Sequence, residues 1–274
     1  MLAAGGKGST GASATVRSVH QAPETSPPPG TVVLVTGGAH GIGREYCRAF
    51  ARAGACVVIA DLDGAAATTA AEELGGPEAL AIETDVADER RVEAMVAAAL
   101  ARFGRIDVLV NNAAIYAAVP VRRAPLDALT VAEWDEVMAV NLRGMFLCAR
   151  AVVPGMRSRA YGRIVNVSSG TPLSGTGALH YATSKAGVIG FTRTLARELG
   201  PSGITVNAIA PGATLTELTG AEERRRHEEG AATRAIPRVG TPQDAVGAVL
   251  FLSSPSAGFI TGQTLVVDGG RVMR

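Results

Sequence analysis

Tyr181 and Lys185 stand four residues apart in the run Tyr181-Ala182-Thr183-Ser184-Lys185, which continues through Arg193 to Leu199 with a pattern that suits a helix. Residues four apart on a helix share one face, one turn from each other. An ammonium beside a phenol favours the phenolate. Lys185 is therefore expected to lower Tyr181 from the ordinary phenol value of about 10 and to make it an acid/base usable near neutral pH. Ser169, upstream in the same stretch, would orient a substrate oxygen. Tyr-x-x-x-Lys also arises by chance in many helices, so the reading depends on the elements around it.

Those elements begin with a β-branched run at 31–36, read as a buried parallel strand. It runs at once into Gly37-Gly38-Ala39-His40-Gly41-Ile42-Gly43, and 42–53 reads as a helix stopped by Gly54. A strand, a glycine turn and a helix start in that order let main-chain N–H groups approach a pyrophosphate. A second strand at 55–60 ends at Asp61, about 20 residues past the glycine loop, where a carboxylate can bind the adenosine ribose and repel a 2′-phosphate. With His40 and no Lys or Arg in the loop, NAD is expected over NADP. Asp61 has a second reading as the cap of the next helix.

Further strands are expected at 80–84, 106–110, 163–167, 204–209 and 262–267. Asp85 and Val86 follow the first of these, Asn111-Asn112-Ala113-Ala114 the second, and Ser168-Ser169 the third. Each lies at a carboxyl edge, where open α/β sheets bind ligands. Asp88 can cap a helix bearing Val92, Val96, Leu100 and Phe103. Ordinary turn chemistry accounts for the Asn pair equally well, and either serine could simply end its strand. A helix is expected over 130–154, interrupted by Asn141, whose amide needs partners and either shapes a kink or binds water.

The 274 residues carry net charge +1, with 47% hydrophobic and 19% charged residues. No basic field points to nucleic acid or an anionic membrane, and neither partner is expected. Three cysteines, Cys47, Cys56 and Cys148, have no zinc or disulfide spacing, and no metal is expected in catalysis. Without a secretory signal pattern or a long uninterrupted apolar run, a cytoplasmic protein is expected. Residues 1–29, rich in Ala, Gly, Ser, Thr and Pro, read as a disordered low-complexity tail ahead of one domain over 30–274. Within it, Pro211-Gly212 opens an excursion over about 213–240 that should cover the substrate. Its charge run Glu222-Glu223-Arg224-Arg225-Arg226-His227-Glu228-Glu229 reads as a solvated helix face.

Taken together, Thr36-Gly37 through Gly43, Asp85, Asn111-Asn112-Ala113, Asn141, Ser169, Tyr181-x-x-x-Lys185, Pro211-Gly212 and Thr261-Gly262-Gln263…Asp268-Gly269-Gly270 resemble the short-chain dehydrogenases/reductases. The match spans essentially 31–274. It implies an α/β, single-domain, doubly wound Rossmann fold with a seven-stranded parallel sheet. By resemblance, Asn141 supports a water relay, Ser169 binds the substrate oxygen, Tyr181 transfers the proton, and Lys185 tunes Tyr181 and holds the nicotinamide ribose. The dinucleotide would contact Gly37, His40, Gly41, Ile42, Gly43, Asp61, Asp85, Val86, Asn112, Ala113, Tyr181, Lys185, Pro211, Gly212 and Thr214. Thr214 stands where many members carry an apolar residue.

The implied activity is NAD(H)-dependent interconversion of a secondary alcohol and a ketone, as in bacterial secondary-alcohol dehydrogenases. A 3-oxoacyl-carrier-protein reductase is the alternative, and a silent dinucleotide-binding protein, which would lack the Tyr or the Lys, a remoter one. The loop between Ser169 and Tyr181 carries no charge, and 214–238 holds five glutamates against five arginines. Both features favour a free apolar substrate over one delivered by an acidic carrier. Arg122, Arg123, Arg157, Arg159 and Arg163 are the candidates for a carrier patch. Family resemblance also leads to the expectation of a homotetramer paired through the C-terminal edge strand.

Overall fold

Seven runs rich in Val, Ile, Leu and Ala form the strands β1 (Val32–Thr36), β2 (Cys56–Asp61), β3 (Ala79–Glu83), β4 (Val108–Asn111), β5 (Gly162–Val167), β6 (Ile204–Pro211) and β7 (Thr264–Val267). All pair in parallel, in the order β3-β2-β1-β4-β5-β6-β7. The computed structural model describes residues 25–76, 78–115 and 121–273. The expected tail therefore lies outside the described residues as far as residue 24.

The helices are α1 (Gly41–Arg52), α2 (Gly64–Leu74), α3 (Glu89–Phe103), α4 (Val131–Met138), α5 (Met145–Ser158), the single turn α6 (Thr171–Ser174), α7 (Leu179–Leu199), α8 (Ala221–Glu229) and α9 (Pro242–Leu252). Successive strand residues face opposite sides of a sheet, which divides the core in two. Val32 and Leu34 of β1 join Val58 and Ala60 of β2 against α3, α5 and α7. Val33, Val35, Val57 and Ile59 point the other way, onto Tyr46, Cys47 and Phe50 of α1 and Val249 and Leu252 of α9. A strand covered on both faces must be apolar at both parities, which is why these strands read as continuous hydrophobic runs.

Element boundaries lie within two residues of the sequence reading, with one informative exception. The helix expected over 130–154 is two α-helices, α4 and α5, joined by a π-helical turn, Ala139–Gly144, that contains Asn141. The whole run Val131–Ser158 is long and apolar enough to cross a membrane by composition, and half of its most apolar window is buried inside the fold.

The domain starts earlier than Gly30. Pro27 is buried, and the Pro28 carbonyl accepts both from Thr31 N–H at 3.2 Å and from Thr31 Oγ1 at 2.6 Å. Gly30 N–H donates to Gly54 O at 2.8 Å, tying this turn to the end of α1. A chain cut to begin at Gly30 is expected to melt about 2–4 °C below one beginning at Thr25, the shift expected for roughly 1 kcal/mol in a domain of this size. Equal melting temperatures in differential scanning calorimetry would show that the turn contributes nothing.

Candidate active site

The order of the sheet reverses between β1 and β4, and ligands of open α/β sheets bind at such a point, beyond the carboxyl ends of the strands. There the glycine loop is packed as tightly as its residues allow. Gly37 has φ +63°, and a Cβ on it would lie 2.8 Å from Ala113 Cα; a Cβ on Gly43 would lie 2.0 Å from Gly37 O. Both glycines are required by space. Asn112 clamps the loop from the other strand, its Nδ2 donating to Thr36 O (3.1 Å) and Gly37 O (2.8 Å). Thr36 Oγ1 reciprocates by accepting from Asn112 N–H and Ala113 N–H, each at 3.1 Å. Asn112 is thus a clamp, while Asn111 is buried and donates to Asn166 Oδ1 (2.9 Å), which in turn reaches Thr192 Oγ1 through Nδ2 (2.9 Å).

The glycine loop aims α1 at the edge, and its N-cap residue His40 makes no side-chain cap. At the end of β2, Asp61 Oδ2 accepts from Ala39 N–H (2.9 Å) and Oδ1 from Asp63 N–H (3.1 Å). The capping alternative fails for Asp61 because Asp63 caps α2, accepting from Ala66 N–H at 2.9 Å. Asp85 closes its own turn by accepting from Ala87 N–H (2.9 Å), and Val86 packs against Gly144 of the π turn. Asp88 caps α3 as its position suggests.

β5 delivers two serines with different fates. Ser168 Oγ donates to Lys185 O at 2.8 Å and so pins α7 to the strand. Ser169 Oγ accepts from Thr171 N–H and Thr171 Oγ1, both at 3.2 Å, which leaves its own proton to donate elsewhere. Tyr181 and Lys185 share one face of α7, with Lys185 Nζ 5.8 Å from the centre of the Tyr181 ring. Lys185 is 2% exposed and donates to Val167 O at 2.8 Å. Burial lowers its pKa from 10.5 to about 8. His180, also buried, is pushed down by the same cause.

Asn141 is fully buried in the π turn, its Oδ1 accepting from Ile115 N–H (2.8 Å) and its Nδ2 donating to Ser184 Oγ (3.1 Å). Ser184 Oγ donates to Tyr181 O (2.8 Å), so the amide links the segment after β4 to α7 beside Tyr181. π turns occur where a helix is deformed for a site. Pro211 and Gly212 close the edge between β5 and β7: Gly170 N–H donates to Pro211 O, Gly212 N–H to Val267 O, and a Cβ on Gly212 would lie 2.7 Å from Asp268 Cβ. Thr214 Oγ1 turns back to Gly212 O at 3.1 Å.

The family model for enoyl-(acyl carrier protein) reductase matches residues 37–271. The short-chain reductase protein NovJ of Streptomyces niveus is 42% identical over 250 residues, covering 88% of this chain and 94% of that protein. The crystal structure of 3-ketoacyl-(acyl-carrier-protein) reductase from Brucella melitensis, complexed with NADH, superposes with a TM-score of 0.81 at 36% identity, over 89% of this chain and 99% of that one. Levodione reductase superposes at 0.83 with 35% identity, over 89% and 98%.

The chain belongs to the short-chain dehydrogenase/reductase family. As a member it is an NAD(P)-dependent oxidoreductase acting on CH–OH groups. The cradle fits a dinucleotide: a side chain on Gly37 or Gly43 would fill the space against Ala113 and Gly37 O, and the carboxylate of Asp61 stands at the neighbouring strand end. Two residues of this dehydrogenase/reductase that sequence reasoning did not single out reach the same loop. Thr216 Cγ2 lies 3.4 Å from where a Cβ on Gly41 would be, and Glu217 Oε1 accepts from Gly41 N–H at 2.7 Å. No spacing rule marks them, because they lie 175 and 176 positions from Gly41.

The buried ammonium of Lys185 has a cost that pH reveals. Between about 8 and 10.5 the unfolded chain binds the Lys185 proton and the folded chain does not, so this group's contribution to stability rises with pH. Relative to Lys185→Met, the wild type should gain stability across that window, by at most about 1.4 kcal/mol per pH unit. Urea melts of both proteins at pH 7 and pH 9.5 measure the gain; a difference that stays constant with pH would refute it.

Proposed function

We propose that this oxidoreductase interconverts a secondary alcohol and a ketone with NAD(H), and that Tyr181 is its acid/base. The observation that carries the reading is Tyr181 and Lys185 on one face of α7, with the Lys185 ammonium buried against Val167 O at the carboxyl edge of β5, in the same edge as the glycine cradle. A bound nicotinamide would supply or accept the hydride. For the reverse movement of a proton, Tyr181 donates to the substrate oxygen during reduction and takes the proton back during oxidation. The cationic charge of Lys185 favours the phenolate left behind. Ser169, its oxygen already accepting from Thr171, donates its proton to the same substrate oxygen and fixes its position. Asn141 holds the π turn and α7 in register, and because both ends of its amide are engaged, a water relay at this residue would run through its main-chain carbonyl.

NAD is favoured by the Asp61 carboxylate at the end of β2, with Asp63 just beyond it beside His40. Two carboxylates at that strand end oppose a 2′-phosphate. A free, largely apolar substrate is favoured by the uncharged stretch from Gly170 to Leu179 and by the fate of four of the five arginines that could have steered an acidic carrier, the fifth, Arg123, being exposed. Arg122 is paired with Glu133, Arg157 with Glu198 and Arg159 with Asp107; Arg163 is buried at the amino end of β5, donating to Ser254 O and Gly162 O. Levodione reductase is named for a free diketone, whereas the Brucella neighbour is named for a carrier-bound one. Residues 213–240 would close over the substrate as a lid, both ends of which are tied by Gly240 N–H to Ala213 O and Leu215 N–H to Gly240 O. Homotetramer formation, on family grounds, and a cytoplasmic location complete the proposal.

Steady-state kinetics over a panel of free ketones and 3-oxoacyl carrier thioesters tests the substrate reading. Free ketones are expected to show the higher kcat/KM with little dependence on salt; a carrier substrate that is far better and strongly salt-sensitive would overturn it. Tyr181→Phe should lower kcat at least about a hundredfold while NADH still binds, as read by fluorescence titration, and near-normal turnover would remove Tyr181 from its role. Asp61→Ala is expected to narrow the ratio of kcat/KM for NAD over NADP; a wild type that already prefers NADP would show that Asp61 has been misassigned.

A further inference from the structure

Glu217 belongs to no motif, yet its carboxylate spans from the start of the lid to the start of α1. Oε1 accepts from Gly41 N–H at 2.7 Å and lies 3.8 Å from His40 Nδ1, while His40 Nε2 lies 3.5 Å from Asp63 Oδ2. Gly41 opens α1, where His40 offers no side-chain cap and the first turn holds no acidic residue. The helix is therefore capped from outside, by the lid. A tight turn presents the carboxylate: Thr216 N–H donates to Thr219 Oγ1 (2.9 Å), Thr219 N–H to Thr216 O (3.1 Å) and Leu218 N–H to Thr216 Oγ1 (3.3 Å). Glu217 remains 51% exposed, so the contact is one that can open.

The first free N–H of a helix carries part of the positive end of its dipole and is the donor that a dinucleotide phosphate uses in this type of fold. One such N–H cannot fully serve two anions, and a carboxylate left beside a pyrophosphate would repel it. We infer that Glu217 is an internal competitor of the dinucleotide: its carboxylate must leave Gly41 before a pyrophosphate takes that N–H, so cofactor affinity is set by the fraction of molecules in which the first turn of the lid has let go. The inference rests on the dinucleotide-binding reading above and adds to it a coupling between cofactor and lid. A polar cleft of about 510 Å³ adjoins the contact, and Arg224 of α8 lines it together with Arg44 and Gln243, which gives the released carboxylate a cation to meet. Loading the cofactor would then move the start of the lid toward α8.

The test compares wild type, Glu217→Ala and Glu217→Gln for binding of NADH by fluorescence titration, and of ADP and adenosine by calorimetry, with a melting curve for each protein. If the competing contact leaves a third to a tenth of molecules open, Glu217→Ala should bind NADH and ADP about three- to tenfold more tightly. Adenosine, which has no phosphate, should bind all three proteins equally. Glu217→Gln keeps an acceptor without its charge and should fall between the other two. Unchanged or weaker binding of NADH and ADP by Glu217→Ala would overturn the inference, as would an equal gain for adenosine, which would mark general loosening of the lid. Failure of wild type and variants alike to bind NADH would instead overturn the dinucleotide-binding reading, and the competition with it.

Discussion

The structure depends on a close approach of main chain to main chain where β1 turns into α1. Gly37 and Gly43 leave no room for a side chain, and four hydrogen bonds from Asn112 and Ala113 to Thr36 and Gly37 hold the turn against the strand end of β4. This arrangement works only if β1 and β4 are neighbours in the sheet, which the strand order supplies. Once they are, α1 points its amino end over the edge and β2 brings Asp61 beside it. The register of three strands thus converts a flexible glycine run into a fixed set of donors.

A second set of constraints holds the side of the edge that carries Tyr181 and Lys185. α7 carries Tyr181 and Lys185, and it is fastened to β5 by Ser168 on Lys185 O and by Lys185 Nζ on Val167 O. Asn141 and Ser184 fasten it again from the π turn. Asn141 makes these contacts from within the π turn, the one irregularity between α4 and α5. Holding an ammonium at 2% exposure with one carbonyl partner works against stability, and the same burial brings its pKa near the working range.

Charge outside the site is largely committed to the fold itself. Of the five arginines that might have formed a basic docking face, three are paired with Glu133, Glu198 and Asp107, Arg163 is buried at the amino edge of the sheet, and Arg123 is exposed. α8 exposes its arginines and Glu222, Glu228 and Glu229, while Glu223 and His227 are half-buried against each other. Glu217 departs from this pattern, because it reaches from the segment after β6 to accept from the first N–H of α1. That contact joins the segment after β6 to the start of α1.

Much of this was legible in the chain. Buried strands show as β-branched runs, the cradle as glycines between strand and helix, and Tyr181 and Lys185 as one helix face, because these features depend on neighbours within a few residues. Asp88 announced its cap for the same reason. The sequence left open whether Asp61 capped the next helix, which group Ser168 would bond at the end of its strand, and what partners the Asn141 amide would find. Each was decided by partners 17 to 43 positions away: Ala39 for Asp61, Lys185 for Ser168, Ile115 and Ser184 for Asn141. Glu217 was invisible because its partner is 176 positions distant. Local periodicity fixes which elements form and which face they bury; which polar group meets which is settled only when the sheet order brings distant strand ends and loops within hydrogen-bonding reach, about 3 Å.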